Sequence, residues 1–171
     1  MSKSKSNIIA AQPDSETRAT STHAQELRLW LRLLTCTNLI EGEVRSRLRN
    51  QFSTTLPRYD LMSQLERSPD GLKMGELSKR MMVTGGNVTG ITDQLVAEGL
   101  VVRLDNPKDR RAYYIKLTAE GRKTFMKMAV AHEKWIVDLL GSLNENERNQ
   151  LYILLAKLKS HVSSLKAIGN S

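Results

Sequence analysis

The chain has 171 residues, of which 40% are hydrophobic and 5% aromatic, and its formal net charge is +8. This length allows one or two small domains with a core packed mainly by Leu, Met, Ile and Val. The positive charge favours a polyanionic partner such as DNA, RNA or an anionic membrane surface, without choosing among them. A single cysteine, Cys36, excludes an internal disulfide and a cysteine-cluster zinc site.

The N-terminal segment shows no pattern of regular structure. Residues 1–21 are rich in Ser, Thr, Lys and Gln and lack an apolar period, which predicts a disordered tail. Their apolar run, Ile8–Ala11, is too short for a signal-peptide core, and no segment of the chain approaches the roughly 20 apolar residues of a membrane span. We therefore expect a soluble, cytoplasmic protein with no membrane partner.

Residues 22–51 are predicted to form a long helix with two apolar rows. The first row holds Leu27, Trp30, Leu31 and Leu34, and the second holds Leu29, Leu33, Cys36, Ile40, Val44 and Leu48. Two rows indicate two packing partners, which we expect to be the protein's own lobe and a second subunit. Cys36 has only Arg32 as a cationic neighbour at helical spacing, so we predict a packing role for it rather than a redox role.

Residues 52–118 are predicted to form a lobe that contains a helix-turn-helix. Pro57 suits the first turn of the first helix of the lobe, and a short strand followed by a brief helix is predicted over Leu72–Met81. The next helix begins after Thr84, whose hydroxyl we expect to cap it. That helix has one apolar face and is expected to end at Gly99 with a left-handed cap.

A hairpin is predicted to follow this helix. Two β-prone runs, Leu100–Leu104 and Ala112–Leu117, enclose a polar turn that ends in Arg110 and Arg111. A helix followed by a basic-tipped hairpin is typical of a winged helix-turn-helix, which binds duplex DNA. We therefore predict a mainly α, α+β winged-helix fold with a two- to three-stranded wing, flanked by N- and C-terminal dimerisation helices.

Residues 119–168 are predicted to form two further helices. Thr118 is expected to cap the first, with Gly121 tolerated near its start, and Asn144–Glu147 resembles the capping box of the second. Their apolar rows are Phe125, Met128, His132, Trp135 and Leu139 in the first, and Leu151, Leu154, Leu155, Leu158, Val162 and Leu165 in the second. Apolar residues on more than one face indicate that these helices form a dimerisation region together with residues 22–51.

Small and polar residues open the predicted recognition helix. Thr84, Asn87 and Thr89 are candidates for reading bases in the major groove, where Asn pairs bidentately with adenine. Gly86 would allow close approach of the backbone to phosphate, although a structural turn explains it equally well. The alternative role of Thr84 and Asn87 is to start the helix. From Thr84 to Leu100 there is no Lys or Arg, so the attraction for phosphate has to come from neighbouring elements.

Basic residues around this helix are the candidates for those contacts. Arg110 and Arg111 are expected to enter a narrow minor groove, which a guanidinium fits better than an ammonium does. The alternative is a solvated hairpin tip. The candidates for phosphate contact alone are Arg58, Lys79, Arg80, Arg103 and Lys108. Each of these is equally well explained as an ordinary surface charge.

Three side chains on the predicted flanking helices are candidates for contact with a small ligand. Trp30, His132 and Trp135 are bulky groups on which an aryl compound could stack. The alternative for the tryptophans is packing in the core or at a dimer interface, and His132 is also explained as an ordinary helix histidine. We expect no cofactor, and the histidines have no metal-ligand spacing with one another or with Cys36, so no metal is expected.

The order of elements resembles the MarR family of bacterial transcription regulators over nearly all of the chain after residue 21. The specific match consists of Glu98–Val101, Asp109–Tyr113 and Leu117–Gly121. This resemblance implies a homodimer that binds a pseudo-palindromic operator in double-stranded DNA. It also implies release of the DNA when a small ligand or an oxidant arrives.

Three further segments, Leu29–Leu34, Thr55–Asp60 and Gly75–Thr84, are similar to the subgroup that represses hydroxycinnamate degradation. That resemblance implies a repressor of aromatic-acid catabolism that an aryl-CoA thioester, such as p-coumaroyl-CoA or feruloyl-CoA, releases from DNA. The alternatives are a regulator that senses a free phenolic acid or an oxidant, and a winged helix that contacts protein. No Ser-His-Asp, Cys-His, paired-carboxylate or phosphate-loop arrangement stands out, so we expect no catalytic residues and no enzyme.

Overall fold

The computed structural model describes residues 24–106 and 109–168, so the predicted tail, residues 1–21, lies outside the described residues. Its elements in chain order are α1 (Ala24–Phe52), α2 (Leu56–Glu66), β1 (Leu72–Lys73), α3 (Met74–Met81), α4 (Gly85–Ala97), β2 (Val101–Asn106), β3 (Asp109–Leu117), α5 (Ala119–Leu139) and α6 (Glu145–Ile168). This order confirms the predicted winged helix-turn-helix with helices on both sides. Over the residues described, no helix has the length and apolar character needed to cross a membrane.

Two compact units divide the chain between Ser46 and Arg47, within α1. The first unit contains the N-terminal part of α1, in which Arg45 pairs with Glu41 one turn earlier. The side chain of Cys36 is exposed there, and the packing role predicted for it stays a prediction. The grouping of residues 22–51 with 119–168 as one dimerisation region stays a prediction.

The second unit is built around α2, which contacts α3, α4, α5 and β3. Pro57 lies in the first turn of α2, where a missing N–H costs no helical hydrogen bond. The side chains of Leu61, Met62 and Leu65 are buried in the core, as the sequence predicts. Other fully buried residues of this unit are Leu48, Leu77, Val88, Thr92, Leu95 and Ile115. Burial of each large apolar side chain contributes about 1.5–3 kcal/mol relative to exposure.

Three antiparallel strands form the wing sheet in the order β1-β3-β2. Ile115, in the central strand, lies opposite Leu72 of β1 and opposite Arg103 of β2. The hairpin strands extend to Asn106 and Asp109, which pair with each other after an irregularity, and are longer than the β-prone runs predicted. Pairing continues into polar residues because the ladder is formed by backbone groups, whereas β-propensity mainly reflects how side chains pack.

The end of α4 and the start of α5 are joined by a close backbone contact. Gly99 has a φ of 71°, which confirms the predicted left-handed cap. The Thr118 hydroxyl donates to the Gly99 carbonyl oxygen at 2.8 Å and accepts from the Gly121 N–H at 2.9 Å. The prediction that Gly121 is merely tolerated is wrong, because a β-carbon there would lie 1.8 Å from the Leu100 carbonyl oxygen.

Candidate nucleic-acid interface

Helix α4 has one buried face and one exposed face. Val88, Thr92 and Leu95 are buried at helical spacing, and they hold the helix against the rest of the lobe. The residues on the outer face are Thr84, Gly85, Gly86, Asn87, Thr89 and Gly90, all of them exposed. The three residues predicted to read bases, Thr84, Asn87 and Thr89, and the predicted backbone contact Gly86 are therefore all accessible at the start of the helix.

The polar groups on this surface are open to an outside partner. Thr84 occupies the N-cap position, but its side chain makes no capping hydrogen bond, so the predicted cap is wrong. Thr89 donates its hydroxyl to the Gly85 carbonyl oxygen at 3.0 Å, which leaves the Thr89 oxygen able to accept. Within the described part of the chain, the Asn87 side chain makes no hydrogen bond. A β-carbon at Gly86 would meet nothing within 4 Å, so nothing obstructs close approach there.

The turn before α4 contains a residue that the sequence reasoning missed. Met82 adopts a left-handed backbone conformation with φ of 54°, and its side chain is 88% exposed. The turn is held from α3, where the Ser78 hydroxyl donates to the Val83 carbonyl oxygen at 2.6 Å. An apolar side chain in a conformation that favours glycine, next to Thr84, is a further candidate for contact with DNA. The signal in the sequence was a bulky residue at a turn position.

Two of the predicted phosphate candidates lie beside this turn. Lys79 and Arg80 occupy the last turn of α3 and are exposed. Arg80 also donates to the Ser68 hydroxyl at 3.0 Å, which fixes its direction. Arg110 and Arg111 belong to β3, but their side chains lie outside what the structure describes, as does Lys108 altogether. The wing contacts predicted for these arginines stay predictions.

The other two phosphate candidates are bound to carboxylates of α4. Arg103 of β2 pairs with Asp93, and Arg58 of α2 pairs with Glu98. Asp93 and Glu98 are the only charged residues from Thr84 to Leu100. The sequence reasoning missed both pairs, although two carboxylates on a helix that faces a polyanion were a signal that cations from neighbouring elements are needed.

The Arg103–Asp93 pair is expected to contribute little to stability. Both side chains are partly exposed, so water screens the charges. In a double-mutant cycle with Arg103→Gln and Asp93→Asn, we expect a coupling of less than about 1 kcal/mol in the free energy of unfolding. Urea unfolding at low salt and near 1 M NaCl measures it, and the coupling should shrink at high salt. A coupling above about 2 kcal/mol at both salt concentrations would show that the pair acts as a buried one.

Two of the three predicted ligand residues belong to an aromatic cluster between α2 and α5. The centroid of the His132 ring lies 5.0 Å from that of the Tyr59 ring, with the two planes tilted by 31°. It lies 6.3 Å from the centroid of the Trp135 ring, which it meets edge-on. The ring centroids of Tyr59 and Phe125 are 5.4 Å apart, and those of Trp135 and Phe52 are 6.1 Å apart. Trp135 is 6% exposed, so packing is its evident role. The cluster joins α2 to α5.

Burial shifts the ionisation of two groups in this cluster. Desolvation lowers the pKa of His132, which favours the neutral imidazole. Desolvation, followed by the charge of Asp60, raises the pKa of Tyr59 despite the opposing charge of Arg67. The cluster is therefore uncharged at neutral pH, which suits stacking of rings.

A shallow groove of about 430 Å³ lies elsewhere on α5. It is lined by Val130, Glu133, Lys134, Val137 and Asp138. Neither His132 nor Trp135 lines it, and Trp30 is an exposed residue of the first unit. A ligand site that combines Trp30 with His132 and Trp135 stays a prediction.

Sequence comparisons connect this geometry to known proteins. Residues 54–113, which cover the helix-turn-helix and most of the wing, match the MarR family model. The uncharacterized HTH-type transcriptional regulator YkoM of Bacillus subtilis is 33% identical over 93 residues, or 54% of this chain and 60% of that protein. The match thus spans less than two thirds of the length of that relative.

Solved structures extend the similarity beyond the DNA-binding lobe. A MarR family transcriptional regulator from Silicibacter pomeroyi is 32% identical, and the match covers 85% of this chain and 99% of that one with a TM-score of 0.68. The fold also matches a mutant MarR of E. coli, solved in complex with operator DNA, at 22% identity, 81% and 99% coverage and a TM-score of 0.69. The chain belongs to the MarR family of transcription regulators, which are not enzymes.

Proposed function

We propose that this chain binds operator DNA as a homodimer, with α4 in the major groove and the wing at the flanking minor groove. The observation that carries the proposal is the outer face of α4. Thr84, Gly86, Asn87 and Thr89 are exposed there with their polar groups open to a partner. In support, the E. coli MarR mutant with the same fold was solved with operator DNA.

The charge distribution supports separate sets of residues for base recognition and for attraction to phosphate. Helix α4 carries no cation, so its side chains supply base recognition rather than attraction to phosphate. Lys79 and Arg80 are exposed next to its start, and Arg110 and Arg111 follow in the wing. We expect these four cations to supply most of the salt-dependent affinity.

A dimer is supported by the surface of α6. Leu151, Leu155, Leu158, Val162 and Leu165 recur at intervals of three and four and are all exposed in the single chain. An apolar row of this length is typical of a helix that packs on another subunit. Two α4 helices held about 34–36 Å apart would enter successive major grooves of a pseudo-palindromic site.

Base recognition is tested with duplexes of about 25 base pairs, long enough for two half-sites, selected by the wild-type protein from a random library. We expect Asn87→Ala to weaken binding to the selected duplex about tenfold, as loss of one bidentate contact predicts, and to leave binding to a scrambled duplex unchanged. Fluorescence anisotropy measures both affinities. Asn149→Ala, which removes the same exposed amide from α6, is the matched control. Equal loss on both duplexes would contradict base reading by Asn87.

The contribution of the wing is measured in the same assay. The Arg110→Ala, Arg111→Ala double variant should lower the slope of log affinity against log salt by about 2, because two phosphate-neutralising cations are removed. If the wild-type protein selects no sequence from the random library, the proposed function is wrong.

We further propose repression of aromatic-acid catabolism, relieved by an aryl-CoA thioester. The support is the similarity of Leu29–Leu34, Thr55–Asp60 and Gly75–Thr84 to the hydroxycinnamate subgroup. An effector lowers DNA affinity only as far as it prefers the form that does not bind DNA. The panel comprises p-coumaroyl-CoA, feruloyl-CoA, free p-coumarate and hydrogen peroxide, with coenzyme A as the control. Unchanged affinity for the selected duplex across the panel would reject this effector class.

A further inference from the structure

Arg58 and Glu98 join the start of α2 to the end of α4. Arg58 is the third residue of α2, and Glu98 is the C-cap residue of α4. The Arg58 Nη2 group donates to Glu98 Oε2. The Arg58 side chain is 16% exposed, whereas that of Glu98 is 47% exposed. The arginine is therefore the inner member of the pair, and its Nε is buried without a hydrogen-bond partner.

Arg58 is a cation in the first turn of α2, where its own helix does not favour positive charge, and Glu98 explains its presence there. The first turn of a helix carries partial positive charge and favours anions, yet α2 has no acidic residue in its first turn. The end of α4 carries partial negative charge, to which Glu98 adds a full negative charge. The guanidinium thus lies in a field set by the end of α4, which compensates for its desolvation.

The pair also affects how α4 meets a polyanion. Without a cation between Thr84 and Leu100, the carboxylates of Asp93 and Glu98 would repel DNA phosphates if left unpaired. Arg103 neutralises Asp93, and Arg58 neutralises Glu98. An arginine that is mostly buried and bound to a carboxylate has lost the exposure that a phosphate ligand needs.

We propose that Arg58 is a positioning residue that fixes the end of α4 on α2 and neutralises Glu98, instead of the phosphate contact suggested by the sequence. This inference rests on the proposed function, since the geometry of α4 matters because α4 reads DNA. It separates two kinds of arginine in the lobe. Arg110 and Arg111 of the wing attract DNA, whereas Arg58 orients the helix that reads it.

A double-mutant cycle with a salt titration tests the proposal. R58Q, E98Q and R58Q/E98Q are compared with the wild type on the selected duplex. We expect R58Q to weaken binding about tenfold, because it leaves the Glu98 carboxylate unpaired and loosens the end of α4. The double variant should recover only part of that loss, because it removes the unpaired carboxylate without restoring the ion pair that fixes α4. The slope of log affinity against log salt should stay unchanged in all three. A slope lower by about 0.9 in R58Q, with no rescue by E98Q, would identify a phosphate contact and overturn the proposal.

Two controls keep the result interpretable. Arg122 pairs with Glu66 at 3.4 Å between α5 and α2, so R122Q removes an equal charge without leaving an unpaired carboxylate at the end of α4, and it should leave operator affinity within about twofold. Thermal unfolding of the wild type, R58Q, E98Q and R58Q/E98Q without DNA tests the ion pair itself. If the shift in melting temperature of the double variant equals the sum of the two single shifts, the positioning role is overturned, even if no duplex is selected. If R58Q does not fold, rescue of binding by R58E/E98R replaces it, and failure of that rescue overturns the proposal.

Discussion

Replacement of Gly121 by alanine is expected to lower the free energy of unfolding by about 3 kcal/mol or more, at the upper end of overpacking costs. The new β-carbon would lie 1.8 Å from the Leu100 carbonyl oxygen and 2.8 Å from its carbonyl carbon. Both are backbone atoms, so no side-chain rotation relieves the overlap. The chain has to move at the contact where the Leu100 carbonyl also accepts from the Thr118 N–H at 3.1 Å.

Thermal unfolding measures the effect of Gly121→Ala. A loss of about 3 kcal/mol corresponds to a fall in melting temperature of roughly 6–12 °C for a chain of this size. Gly75→Ala is the matched control, because a β-carbon at that exposed position in α3 meets nothing within 4 Å. Alanine also favours helix over glycine, so the control should melt at or above the wild-type temperature. A Gly121→Ala protein as stable as the control would disprove the close approach of α5 to Leu100.

Replacement of Leu158 by glutamate is expected to convert the proposed dimer to a monomer. Operator binding should weaken about 100-fold or more, because the two half-sites are then bound by separate molecules and no longer by two linked subunits. Leu158 lies at the centre of the apolar row of α6 and is 42% exposed in the single chain. The substitution would place a charge in the centre of the interface. It should change the stability of one subunit little, since the side chain is not in its core.

Sedimentation and anisotropy measurements check this prediction together. Ser160→Glu adds the same charge to α6 on the side opposite the apolar row, and it should leave both the mass and the affinity unchanged. A Leu158→Glu protein that remains dimeric and binds the selected duplex normally would remove α6 from the proposed interface. Monomers that still bind the full duplex normally would instead contradict the need for two linked half-sites.

Much of the architecture was predictable because its signals are local. The period of apolar residues along α4, the proline in the first turn of α2 and the left-handed glycine at position 99 each depend on neighbours within a few residues. The hairpin was predictable for the same reason, although its strands pair further than β-propensity indicated. The capping box at Asn144 and Glu147 was also predicted, and its two reciprocal hydrogen bonds measure 2.8 and 3.0 Å.

The candidate site was predictable only in part. That Thr84, Asn87 and Thr89 are exposed was predictable, because the apolar period of α4 puts Val88, and none of these three residues, on the buried face. That the Thr84 hydroxyl makes no capping bond depends on the geometry of the turn, which composition does not set. The predicted ligand residues were grouped by type, but His132 and Trp135 pack in a ring cluster whereas Trp30 is exposed in the first unit.

By itself, the sequence determined which segments are helices and strands and which of their faces are apolar. It also determined that α4, the helix proposed to read bases, carries no cation. Only the tertiary structure decided that Gly121 meets the carbonyl of Leu100, and that Arg58 and Arg103 are bound to carboxylates of α4. The residues that meet are 10 positions apart for Arg103 and Asp93, 21 for Gly121 and Leu100, and 40 for Arg58 and Glu98. Local periodicity carries no information about such distances, because packing of the whole lobe sets which backbone and charged groups meet.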